Sequence, residues 1–140
     1  MRCALVMHQP VVTVDAGASA RAAAELMRAH GIGFLPVCDA EGCAVGVVTD
    51  RDLAVRVCAA GGDADQVPIG EVMSRGLVAC RPTDSIVRVE ELMIHHKKQR
   101  VLVVDERGRP AGVIAVADLA AHDRYETVAR TYRKIVTQEL

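Results

Sequence analysis

The chain repeats itself at a fixed offset of 66 residues. Gly46-Val47-Val48 returns as Gly112-Val113-Ile114, and Asp52-Leu53-Ala54 returns as Asp118-Leu119-Ala120. The same offset carries Met7 to Met73, Ser19 to Ser85, Glu25-Leu26-Met27 to Glu91-Leu92-Met93, Val37 to Val103, Asp39 to Asp105 and Gly42 to Gly108. No gap is needed. A register kept at apolar, turn and acidic positions together marks a duplicated supersecondary unit, which dominates what the chain can fold into. The repeats read as residues 1–58 and 68–122. They are joined by a linker, 59–67, that contains Gly61-Gly62, and an amphipathic helix is expected over 123–140, outside the duplication.

Each copy predicts the same order of elements. Short β-rich runs at Val11–Val14 and Leu77–Cys80 open the unit. A helix follows, over Ser19–His30 and over Asp84–Lys98. In the second copy Ile86, Val89, Leu92, Met93 and Ile94 supply the apolar face, and Thr83 or Asp84 is the expected cap. The first copy is Ala-rich and reads as less well capped. Phe34–Cys38 with Cys43–Val48, and Arg100–Val104 with Ala111–Ala115, read as hairpins around Gly42 and Gly108. A short helix then starts near Thr49 and near Val116. The fold class is therefore α+β, an α/β sandwich of two β-α-β-β-α repeats. A unit this small buries only a thin core, so the two sheets are expected to pack about a pseudo-twofold axis and leave clefts between them.

Composition narrows the function. Lys+Arg number 17 against Asp+Glu 18, a formal net charge of -1, which lacks the basic footprint of a nucleic-acid binder. Phe34, Tyr125 and Tyr132 are the only aromatics, too few for a base-stacking platform. No apolar run reaches the roughly 18 residues that cross a bilayer, and His8, Gln9 and Pro10 interrupt the apolar start. The expectation is a soluble, cytoplasmic protein with no nucleic-acid or membrane partner. The five cysteines form no CxxC and read mostly as small core residues. Cys38 and Cys43 are the nearest pair, across the Gly42 turn. His95 and His96 are adjacent, expected to point apart, and lack partners at ligand spacing, so no metal is expected. No catalytic constellation is apparent.

The run Gly46-Val47-Val48-Thr49-Asp50-Arg51-Asp52-Leu53, with Leu35-Pro36-Val37, Asp39, Gly42, Val103, Val104, Asp105, Gly108, Gly112 and Asp118, resembles a cystathionine-β-synthase (CBS) domain pair. The resemblance covers nearly the whole chain apart from its last eighteen or so residues. It implies a sensor that binds an adenosine nucleotide (AMP, ADP or ATP) or S-adenosylmethionine in an inter-repeat cleft and signals through a homodimer or a regulated partner. It also implies that Asp52 holds ribose hydroxyls with help from Thr49, beside Val48 and Arg51. Main chain near Val12 and Thr13 meets adenine, and Lys98, Gln99 and Arg100 reach the phosphate. The second site keeps Asp118 but has Ala115 in place of the hydroxyl residue, with Gly33 and Phe34 opposite. The two sites are expected to be unequal.

Plainer readings stand beside these. Thr49 and Asp52 also fit a helix capping box. Arg100 and its lysine neighbours also fit a solvated helix end. His8, His30 and His122 read as ordinary surface or interface histidines. Tyr125, Val128, Tyr132 and Ile135-Val136 form an apolar stripe flanked by Arg124, Glu126, Arg130, Arg133 and Lys134, which packs either on its own domain or on a second chain. The alternative function is a ligand-free interaction module acting through its dimer surface.

Overall fold

A computed structural model describes residues 1–122 and 125–137. The chain forms two compact units. One is Val12–Leu77; the other is Met1–Val11 together with the chain from Val78 on. The units are thus offset from the sequence repeats: the first eleven residues close the unit of the second repeat, and the segment after residue 58 closes that of the first.

The first unit holds β1 (Val14–Asp15), α1 (Ala20–His30), β2 (Phe34–Cys38), β3 (Ala44–Thr49), α2 (Asp50–Leu53), a π-turn at Ala54–Cys58, and α3 (Ile69–Val72). The sheet order is β1-β2-β3, with β1 parallel and β3 antiparallel to β2. The second unit holds a 3-10 turn (Cys3–Leu5), β4 (Ala79–Cys80), α4 (Ile86–His96), β5 (Arg100–Val104), β6 (Pro110–Ala115), α5 (Val116–His122) and α6 (Tyr125–Val136). Its sheet repeats the pattern as β4-β5-β6. This is the α+β repeat architecture expected. The opening strands are shorter than the apolar runs suggested, since only two residues of each pair with the neighbouring strand.

The helices begin where a serine can cap them. Ser19 Oγ accepts from Ala22 N at 3.1 Å, and Ser85 Oγ accepts from Val87 N at 3.2 Å. The cap of α4 is therefore Ser85, not Thr83 or Asp84, and α1 is capped as well as α4. Gly31 ends α1 with φ 64°, and Lys97 ends α4 with φ 55°. Lysine adopts this left-handed conformation less readily than glycine. Its Nζ reaches Lys134 O at 2.7 Å, tying α4 to α6.

The hairpins turn alike. Asp39 Oδ1 accepts from the N–H of Glu41 and of Cys43, both at 3.0 Å. Asp105 Oδ1 accepts from Arg107 and Arg109, both at 2.9 Å. Gly42 and Gly108 supply φ 81° and 80°.

Each sheet carries a strap on its last strand. In the first unit Ser74 and Val47 exchange both main-chain hydrogen bonds, at 2.8 and 2.9 Å. In the second, His8 and Val113 do the same at 2.9 and 3.2 Å. Those contacts explain Gly46 and Gly112. A Cβ on Gly46 would lie 2.6 Å from Ser74 O and 2.7 Å from Met73 Sδ; one on Gly112 would lie 2.5 Å from Met7 Sδ.

The two cores are separate. Leu35, Val37, Val48, Ala23 and Ile69 centre the first. Val89, Met93, Val101, Val103, Ile114 and Leu119 centre the second. Ile135 is fully buried in that second core, with Val128 and Val136 against it, so α6 packs on its own unit while Tyr132 stays 45% exposed. Arg124 and the side chains of Tyr125 and Glu126 lie outside the described residues. Among the described residues no helix is long and apolar enough to cross a membrane.

Candidate functional site

The end of each hairpin delivers an aspartate onto the helix that follows. Thr49 Oγ1 accepts from Asp52 N at 3.2 Å, and Thr49 N donates to Asp52 Oδ2 at 2.9 Å. This is the reciprocal capping box that the spacing allowed. It leaves Oδ1 turned away from the cap, 3.8 Å from Arg56 Nε, with the Asp52 side chain 15% exposed. Arg56 also donates to the carbonyls of Val72 and Met73 at 2.9 and 3.3 Å, so it joins α2 to the strap.

Asp118 is held in a parallel way. Its Oδ2 accepts from Ala115 N at 2.7 Å. Ala115 has no hydroxyl to return the bond, so the box is half complete. Oδ1 meets His8 Nε2 at 2.5 Å. Asp118 is 16% exposed and His8 75% exposed. One carboxylate oxygen therefore holds the helix start in both copies, and the other meets a basic side chain, Arg56 in one unit and His8 in the other.

The remaining candidates fall into two sets. Val12, Thr13, Val48, Thr49, Arg51 and Asp52 belong to the first unit. Thr13 and Arg51 are exposed, while Val48 is fully buried and offers only its main chain. Lys98, Gln99, Arg100 and Asp118 belong to the second unit. Lys98, Gln99 and Arg100 are exposed. Gln99 O accepts from Val116 N at 2.9 Å, and Arg100 is the register partner of Ala115. The basic run thus adjoins the start of α5 within its own unit. Gly33 and Phe34 stand in the same relation to α2: Gly33 O accepts from Asp50 N at 3.0 Å, and Phe34 pairs with Thr49.

Sequence reasoning missed His8 and Arg56. The repeat held a signal for His8, because the offset that takes Met7 to Met73 takes His8 to Ser74. The rings of His95 and His96 do not point apart but meet edge to face with centroids 4.7 Å apart. No group of three or more His, Cys, Asp or Glu converges as a metal set among the described residues.

Residues 4–58 and 69–124 each match the family profile of the CBS domain. The chain belongs to the CBS domain family. A CBS domain-containing protein of Bacillus subtilis (strain 168), YhcV, is 38% identical over 116 residues, 83% of this chain and 81% of that protein. Hypoxic response protein 1 of Mycobacterium tuberculosis is 33% identical over 117 residues, 84% of this chain and 81% of that protein. Its crystal structure, which holds two coordinated zinc ions, superposes with a TM-score of 0.80 at 31% identity over 89% of this chain and all of that one. The CBS domain pair of protein MJ0100 superposes at 0.76 with 25% identity, over 86% of this chain and 94% of that one. That pair was crystallised with 5′-methylthioadenosine and S-adenosyl-L-methionine.

Proposed function

We propose that this CBS pair is a regulatory module that binds an adenosine nucleotide or a related adenosyl compound and signals through a homodimer or a regulated partner. Asp52 carries the reading. The capping box fixes the carboxylate through Oδ2 and leaves Oδ1, beyond hydrogen-bond distance of Arg56, to accept from adjacent ribose hydroxyls. Thr49 and Arg51 flank it, and Val12 and Thr13, of the same unit, offer main chain to the base. Asp118 forms the weaker site, since Ala115 lacks a hydroxyl and His8 already engages Oδ1. The adenosyl ligands held by the MJ0100 pair support this class of compound.

Calorimetric titration with AMP, ADP, ATP, S-adenosylmethionine and 5′-methylthioadenosine tests the reading. At least one should bind saturably, and Asp52→Ala should weaken it by about 1.5–3 kcal/mol. Asp52→Asn, which keeps an acceptor for Thr49 N, separates the lost charge from the lost cap. Unchanged affinity in both variants sinks the site. Absence of binding by the wild-type chain favours the interaction-module reading, for which Val55 and Val87, 52% and 56% exposed, supply apolar surface.

A further inference from the structure

Cys3 and Cys80 are 77 positions apart in sequence, yet their sulfurs lie 3.7 Å from each other inside the second unit. Cys3 is fully buried and Cys80 is 5% exposed. The other unit fills the two equivalent positions with Ile69 and Val14, both buried, so packing alone is satisfied there by hydrocarbon. Cys3 sits on the strap that brings Met7 to Gly112 and His8 to Asp118. The strap is also held by Cys3 N to Asp84 O at 2.8 Å and Ala4 N to Pro82 O at 3.0 Å. Cys80 ends β4. A disulfide needs the sulfurs to close by only about 1.7 Å.

We propose that Cys3 and Cys80 are a modification site, a thiol pair that a low-molecular-weight disulfide converts to an intramolecular cross-link fastening the N-terminal strap to β4. The Cys3 thiolate attacks one sulfur of RSSR, forms Cys3–S–SR and releases RS⁻. The Cys80 thiolate then attacks the Cys3 sulfur, forms the Cys3–Cys80 bond and releases the second RS⁻. Two protein thiols are oxidised, one RSSR is reduced to two RSH, and the two thiol protons pass to the released thiolates. Burial pushes both thiols up from their ordinary value. The exchange therefore runs from conformations in which the strap lifts and Cys3 meets water. Once closed, the bond holds the strap down and keeps His8 on Asp118.

The test is incubation of the folded, reduced chain with excess glutathione disulfide, followed by thiol counting and non-reducing peptide mapping. The expected product has two fewer titratable thiols than the five of the reduced chain. It is lighter by about 2 Da, the two lost hydrogens. Its map joins the Cys3 peptide to the Cys80 peptide, and dithiothreitol reverses it. Amide exchange at His8 and Val113 should slow at least tenfold in the oxidised form. Cys3→Ala and Cys80→Ala should each abolish the product, and the wild-type map decides the matter even where a variant folds poorly. Five persisting thiols, a Cys3–glutathione adduct that never resolves onto Cys80, or a cross-link between Cys38 and Cys43 instead would each overturn the proposal.

Discussion

His8 Nε2 lies 2.5 Å from Asp118 Oδ1, a contact between residues 110 apart that places a basic ring on the acid matching Asp52 in the other repeat. An adenosyl ligand seeking Asp118 has to displace that ring. His8→Ala should therefore raise affinity at the second acid and move the titration stoichiometry from one toward two. Because His8 is 75% exposed, its removal should change folding stability by less than about 0.5 kcal/mol. Unchanged stoichiometry and affinity in a stable variant would show that the ring does not control the acid.

Gly46 and Gly112 are equivalent positions with unequal constraints. Alanine at either should destabilise by about 1–3 kcal/mol through overpacking. At Gly112 the obstacles are all atoms of the Met7 side chain, so Met7→Ala should recover part of the loss. At Gly46 the nearest obstacle is Ser74 O, held by its own ladder bond, and Met73→Ala should recover little. Denaturant melts of the two double-mutant cycles decide this, and equal rescue at both sites would contradict it.

Ala115→Thr should complete the half-formed box on α5. Asp118 Oδ2 already takes Ala115 N, and a threonine hydroxyl would accept from Asp118 N as Thr49 does from Asp52. The expected gain is about 1 kcal/mol in thermal or chemical unfolding. A neutral or destabilising result would mean that the start of α5 differs from that of α2.

Asp105 ties the second hairpin, and the N–H groups of Arg109 and then Arg107 hold its carboxyl below the ordinary 3.8. A folded-state value below the unfolded one gives stability that is present above the ordinary value and fades as pH falls through and beneath it. Asp105→Asn should accordingly make the hairpin less stable at neutral pH and flatten the acid limb of the stability curve. Unfolding midpoints from neutral pH to below 3.8 would reveal an unaltered limb if the turn does not depend on this charge.

Local chemistry made much of this fold legible. Asp39 and Gly42, with their copies Asp105 and Gly108, mark turns whose hydrogen bonds need an acceptor and a left-handed residue at those spacings. The α4 cap was harder to read, because Thr83, Asp84 and Ser85 are consecutive and all can cap; burial of Ile86, Val89 and Met93 selects Ser85. Thr49 and Asp52 were legible as a capping box from their spacing alone. The His8 contact was hidden. Pairing between residues 8 and 113 leaves no local periodicity, and an exposed histidine carries no mark of the acid it will meet. The Cys3–Cys80 proximity was concealed for the same reason, while nearness in sequence drew notice to Cys38 and Cys43 instead.

The offset between repeats and compact units bears on how the protein is made. Met1–Val11 leaves the ribosome ahead of the strands and helices of its own unit, which are translated only after Leu77. The opening segment must wait, with Cys3, Val6 and Met7 unsheltered, until synthesis of the second half catches up. Cutting the gene between residues 58 and 68 would strand that segment on the wrong fragment.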